Sequence, residues 1–246
     1  MPTLAFVLVV AGTLAPNPLS QTQRRAQAQE HFRAGQDHMQ AEEFEEAVRE
    51  FKTAIEMDPL LVIAHYNLGQ SYMALKAFPA AVTAYVGCRD AVDQLNSLQQ
   101  GEVVERSQEI DDQIRGLQDL IRHLRMQRGA DPGNRIMMVE ERIRVLEGLR
   151  GTGKDRHIQV PAELHLALGS AYYRQGALAE AEKEYVGAVK VDPRMGPAHN
   201  NLAVIYMLSG RYKEARDALQ KAEKNRFPVN PNLKRDLEAR EAAARQ

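Results

Sequence analysis

The sequence predicts an all-α chain, a file of antiparallel helix pairs broken once by a long helical hairpin. Three observations carry this reading. Four histidines, His31, His65, His165 and His199, fall in two pairs, and the members of each pair are 34 residues apart. Small and bulky residues recur in fixed phase around all four. Between the pairs the apolar residues switch to alternating three- and four-residue spacing, the mark of a helix seam.

The first element is Leu4 to Ala15, an almost wholly apolar run. It is shorter than the ~20 residues needed to span a bilayer and reads as the hydrophobic core of a secretory signal. No Lys or Arg precedes it, and Pro16 follows the best small residue, Ala15. No cysteine directly follows it, the nearest being Cys88, so a lipoprotein anchor is not expected. The expectation is export to the periplasm or beyond, with no transmembrane anchor. The alternatives are a misassigned start codon or a buried N-terminal helix in a cytoplasmic protein.

Next come the repeats, with copies starting at Ala28, Val62, Ala162 and Gly196. Ala34, Leu68, Leu168 and Leu202 form one column, and Gly35, Gly69, Gly169 and Ala203 the next. Further columns are His38, Tyr72, Tyr172 and Tyr206, then Phe44, Phe78, Leu178 and Tyr212. An alanine column follows: Ala47, Ala81, Ala181 and Ala215. Phe51, Tyr85, Tyr185 and Leu219 come next, then Ala54, Cys88, Ala188 and Ala222. Asp58-Pro59 and Asp192-Pro193 close two copies, while Asp93 stands where the second copy would have its proline. Turn signals such as Gln175-Gly176 and Ser209-Gly210 divide each copy into two helices.

These columns resemble the tetratricopeptide repeat family over about 136 of the 246 residues. The departure is His where the family has its first aromatic. The resemblance implies an α-solenoid of four repeats, each stacking on its neighbours because one helix pair cannot bury its own apolar face.

The 66 extra residues between the pairs are helical. Ile110, Ile114, Leu117, Ile121 and Leu124 form one seam, and Ile136, Val139, Ile143 and Leu146 a second. Asp131-Pro132-Gly133-Asn134 is the turn between them. The first arm runs on from the second repeat, with Gly101 a place where it breaks or bends. Gly151 to Val160 is a linker and Pro161 opens the third repeat. A charged capping helix, Pro231 to Arg245, ends the file. The expected layout is a signal-like segment at 1–20, repeats at 21–93, the coiled-coil-like hairpin and linker at 94–160, repeats at 161–228 and the cap at 229–246.

Composition removes several functions. Lys plus Arg number 32 against 33 Asp plus Glu, a net charge of -1, so no bulk attraction draws nucleic acid. A single cysteine, Cys88, permits no intramolecular disulfide and no cysteine-paired zinc site. Gly148 to Lys154 matches the start of a phosphate-binding loop, but Asp155 replaces the Ser or Thr that ligates magnesium, and a helix precedes it. The repeat histidines would lie roughly 10 Å apart in a stack, too far to share a metal held at ~2.1 Å. They are expected as interface residues. No cofactor, metal or catalytic residue is assigned.

In the family the first helix of each repeat lines a concave groove that takes an extended peptide or a partner helix. Carried onto this chain, the resemblance gives Phe32, Gln36 and Met39; Tyr66, Asn67, Gln70 and Met73; Leu166, Ser170 and Tyr173; and Asn200, Val204 and Met207. Members that grip a terminal carboxylate need basic residues where Glu163 and Ala167 stand here, so that ligand is not expected. The function expected is non-enzymatic protein–protein interaction. The alternatives are a structural protein dimerising through the hairpin and an enzyme with an unrecognised site. The hairpin or the N-terminal segment could itself fill the groove.

Overall fold

The computed structural model describes residues 20–126, 133–149 and 157–244. The signal-like run, the Asp131-Pro132 turn, the Gly151–Asp155 loop and Arg245 lie outside the described residues. Ten helices account for the secondary structure of the rest. The four repeats are α1 (Gln21–Gln40) with α2 (Phe44–Met57), α3 (Val62–Ala74) with the start of α4 (Phe78–Met126), α6 (Ala162–Gln175) with α7 (Leu178–Val191), and α8 (Gly196–Leu208) with α9 (Tyr212–Lys224). The insert is the rest of α4 with α5 (Gly133–Leu149), and α10 (Pro231–Ala243) ends the file.

Each boundary has a local cause. Ser20 opens α1 with a capping box, its hydroxyl accepting from the Gln23 backbone while the Gln23 side chain accepts from Ser20. Asn230 caps α10 with Pro231 in its first turn. Between paired helices the chain turns the same way four times. The backbone N–H groups of Glu43, Ala77, Ala177 and Arg211 donate to the carbonyls of His38, Tyr72, Tyr172 and Tyr206. This six-to-one bond requires a left-handed residue before the donor. Gly176 (φ 87°) and Gly210 (φ 73°) supply it in the last two copies, but Glu42 (φ 59°) and Lys76 (φ 58°) adopt it in the first two.

Asp58 and Asp192 end the second helices of copies one and three, each accepting from the backbone N–H two residues on. In copy two those positions are Val92, which is buried, and Asp93, so nothing ends the helix. It runs 49 residues, ~74 Å. Gly101 does not break it: the chain is helical through the glycine, which is exposed with no atom near its missing side chain. The ~1 kcal/mol cost of a helical glycine is outweighed by the seam beyond it. There Ile110 and Ile114 are buried with Leu146 of α5, flanked by Leu117 and Ile143.

The insert does not separate the repeat pairs. The start of α4 packs directly on α6, and α3 also touches α6. Tyr85 and Cys88 share one buried cluster with Leu164, Leu168 and Ala171. The four repeats are therefore one continuous stack from which the hairpin projects. Two contacts fix the place where the chain leaves and returns. Buried Asn96 donates to the Ile158 carbonyl at 3.0 Å and accepts from the Ile158 N–H at 2.7 Å. Arg89 of α4 donates to Glu184 of α7 at 3.1 Å.

The glycine column sets helix-pair spacing. A side-chain carbon on Gly69 would lie 2.4 Å from the Tyr85 ring, and equivalent clashes would join Gly35 to Phe51 and Gly169 to Tyr185. Ala47, Ala81, Ala181 and Ala215 are all fully buried, as equivalent helix contacts require.

Candidate functional site: the inner face and its pocket

Successive first helices touch, α1 with α3 and α3 with α6. Between successive second helices there are instead open creases. One of about 650 Å³ lies between α2 and α4, lined in part by Ile55 and Thr83, and one of about 320 Å³ between α7 and α9, lined by Val189 and Asp217. The first-helix side, closed between copies one, two and three, is the inner face, and the second-helix side is creased.

The middle crease, about 470 Å³, carries an ion network. Nineteen residues after each repeat histidine come Glu50, Ala84, Glu184 and Ala218. Where this residue is Glu, the histidine Nδ1 donates to it: His31 to Glu50 and His165 to Glu184, both at 2.7 Å. Where it is Ala, the ring turns and Nε2 donates to the carbonyl of the preceding proline, His65 to Pro59 at 2.9 Å and His199 to Pro193 at 3.0 Å. All four histidines thus have structural partners. Burial alone would raise the Glu184 carboxyl, but hydrogen bonds and charge from His165 and Arg89 outweigh it and hold it below its ordinary 4.5.

On the inner face a pocket of about 250 Å³ gathers side chains from three repeats. Met73 comes from copy two, Ser170 and Tyr173 from copy three, and Val204 from copy four. All four are among the residues expected from sequence. Three further lining residues were not: Arg174, Tyr185 and Asn201. Tyr185 is buried and reaches this face because Gly169 leaves room for its ring. Its hydroxyl donates to Ser170 Oγ at 3.3 Å, and Ser170 in turn donates to the Leu166 carbonyl at 2.8 Å. Burial raises the Tyr185 hydroxyl, so the group is a neutral donor. The glycine spacing was the signal that could have exposed Tyr185.

The remaining expected residues lie along the same helices outside this pocket. Phe32 and Tyr66 are half-buried, each tilted against the large ring of its own repeat, Phe51 at 5.9 Å and Tyr85 at 5.7 Å. Gln36 is exposed, and Met39, Asn67, Gln70, Leu166 and Asn200 are half-buried. Met207 departs from the expectation. It is only 8 % exposed, in the core cluster that includes Leu237 of α10. Helix α10 stands here in place of a further helix pair, and its Leu237 belongs to the cluster that encloses this side chain. Among the described residues, α5 packs on α4 and makes no comparable contact with a first helix.

Residues 32–86 and 166–231 match the family model described as tetratricopeptide repeat. These are tetratricopeptide-type repeats. Such repeats generally mediate protein–protein interactions. No match was found among curated proteins. Among solved structures, the chain resembles PilW, described as a type IV pilus biogenesis factor, at 14% identity and TM-score 0.38, over 84% of this chain and 80% of that one. It also resembles TTC0263, a thermophilic tetratricopeptide protein of Thermus thermophilus, at 20% identity and TM-score 0.35, over 87% and 98%. A third is YrrB, described as having an unusual peptide-binding site, at 16% identity and TM-score 0.30, over 91% and 98%. None of these likenesses bears on what this chain binds. No helix among the described residues is long and apolar enough to cross a membrane.

Proposed function

We propose that the chain is a non-enzymatic scaffold that holds an extended peptide or a partner helix along its inner face, and that it does so outside the cytoplasm. The observation that carries the first part is the pocket formed jointly by Met73, Ser170, Tyr173 and Val204. Its lining is apolar and adaptable, with amide and hydroxyl groups at the floor, which suits a peptide side chain. The test is a pull-down with Tyr66→Ala and Tyr173→Ala. The partner should be lost from both variants, and retention of every partner by both would show the site to be elsewhere. Export rests on the apolar run Leu4 to Ala15. Intact mass of the protein recovered from the cell envelope should be short by the cleaved segment.

A second reading is favoured by the hairpin. Met137, Met138 and Val145 of α5 are exposed apolar side chains on an arm that, among the described residues, packs chiefly on α4. A homodimer through this arm would bury them. Light scattering at micromolar concentration decides it: a strict monomer removes the dimer.

A further inference from the structure

The inner pocket is chemically lopsided. Met73, Tyr173 and Val204 give it apolar walls, and its floor polar groups, Ser170 and Tyr185, already satisfy one another. On its edge stands Arg174, exposed, with its guanidinium carbon 5.5 Å from the centre of the Phe78 ring. Phe78 belongs to copy two and Arg174 to copy three, so the stacking of the repeats itself builds this contact. Among the described residues Arg174 has no carboxylate partner. The other arginines at repeat junctions do: Arg89 pairs with Glu184, and Arg211 with Glu182 and Glu214.

Size and charge together define an occupant. At about 250 Å³ the pocket is below the 300–1,000 Å³ of sites that enclose whole small ligands, so it suits one side chain of a longer chain. A guanidinium lying against an aromatic ring keeps its in-plane N–H groups free to donate. A planar fork of donors matches a carboxylate. Holding that fork in place before binding also lowers the ordering cost of using it. The acidic Glu163 stands at the opposite end of α6, about 16 Å along the helix, and leaves the guanidinium unneutralised.

We propose that this pocket recognises an aliphatic side chain with an aspartate or glutamate beside it, the aliphatic group seated between Met73 and Val204 and the carboxylate held by Arg174. The proposal rests on the inner-face reading above and narrows its partner to acidic peptide segments.

A random peptide library displayed on phage, panned against the full chain, tests it. Selected peptides should be enriched several-fold over the input in Asp or Glu next to Leu, Ile or Met. Panning against Arg174→Glu should keep the aliphatic preference and lose the acidic one. Arg174 is exposed, so circular dichroism should show an unchanged fold. Acid frequencies at input level, or unchanged by Arg174→Glu, overturn the proposal. If aliphatic enrichment then still depends on Tyr173 and Val204, shown by its loss in Tyr173→Ala and Val204→Trp, the inner-face reading survives alone. Peptides that bind both of those variants undiminished, or no enrichment at all, overturn both.

Discussion

At Glu184 one carboxylate ties three helices together, accepting from His165 of its own repeat and Arg89 of the repeat before. Its native proton affinity is lowered, so as pH falls the unfolded chain takes up the proton first. Its contribution is present above the ordinary 4.5 and is lost as pH falls below it. Charged hydrogen bonds of this kind contribute about 1.5–3 kcal/mol. Glu184→Gln should therefore melt several degrees below wild type at neutral pH, and the gap should close in scans below pH 4. A second residue-scale prediction concerns the turns. Glu42 and Lys76 adopt a backbone conformation that costs a side-chain-bearing residue about 1–2 kcal/mol. Glu42→Gly and Lys76→Gly should each raise the melting temperature, whereas Gly176→Ala should lower it. Cys88 is buried and donates to the Val62 carbonyl at 3.4 Å, and burial pushes its thiol up to about 11. A soluble disulfide reagent should leave it untouched at pH 8 until the protein is unfolded.

Helices pair through the glycine column. In Gly69→Ala the added carbon meets a Tyr85 ring that is 2 % exposed and cannot move away. Overpacking costs about 1–3 kcal/mol, more than the better helix propensity of alanine returns, so the variant should unfold at lower denaturant. The hairpin obeys a different logic, since α5 depends on a single seam. Ile114→Asp places an unpaired charge in that seam. New proteolytic cuts should appear within residues 97–157 while the repeats keep their melting transition. What was legible in the sequence follows from periodicity. Columns that recur every 34 residues announce themselves, and so does a four-three seam. The run-on of α4 from the second repeat was legible too, and the absence of a proline at Asp93 accords with it. Gly101 misled because local propensity was overruled by burial further along the same helix. Arg89 with Glu184 and Asn96 with Ile158 were not legible: their partners lie 95 and 62 residues away and recur in no other copy.

Across the whole molecule, helix spacing follows from side-chain size. The glycine column lets the two helices of a repeat close on each other, and the residue nineteen past each histidine is Ala in the α2–α4 and α7–α9 creases but Glu184, bonded to Arg89, in the α4–α7 crease. The inner pocket exists only because copies two, three and four stand in register across the insert. The choice of the first helices as the inner face came from the family resemblance. The columns did not foretell that Met207 would be sealed by α10, because a cap breaks the repeat and its contacts have no period. Continuity of the stack through the α4–α6 junction is thus the claim on which the groove depends. Hydrogen–deuterium exchange of the full chain carrying Leu168→Ala tests it most directly. Leu168 is buried against Tyr85 and Cys88 of the preceding repeat, and its truncation costs about 2–5 kcal/mol. Exchange should quicken in residues 78–96 as well as in 161–191. Faster exchange confined to residues 161 onward, with 78–96 unchanged, would show two separate repeat pairs and contradict the account.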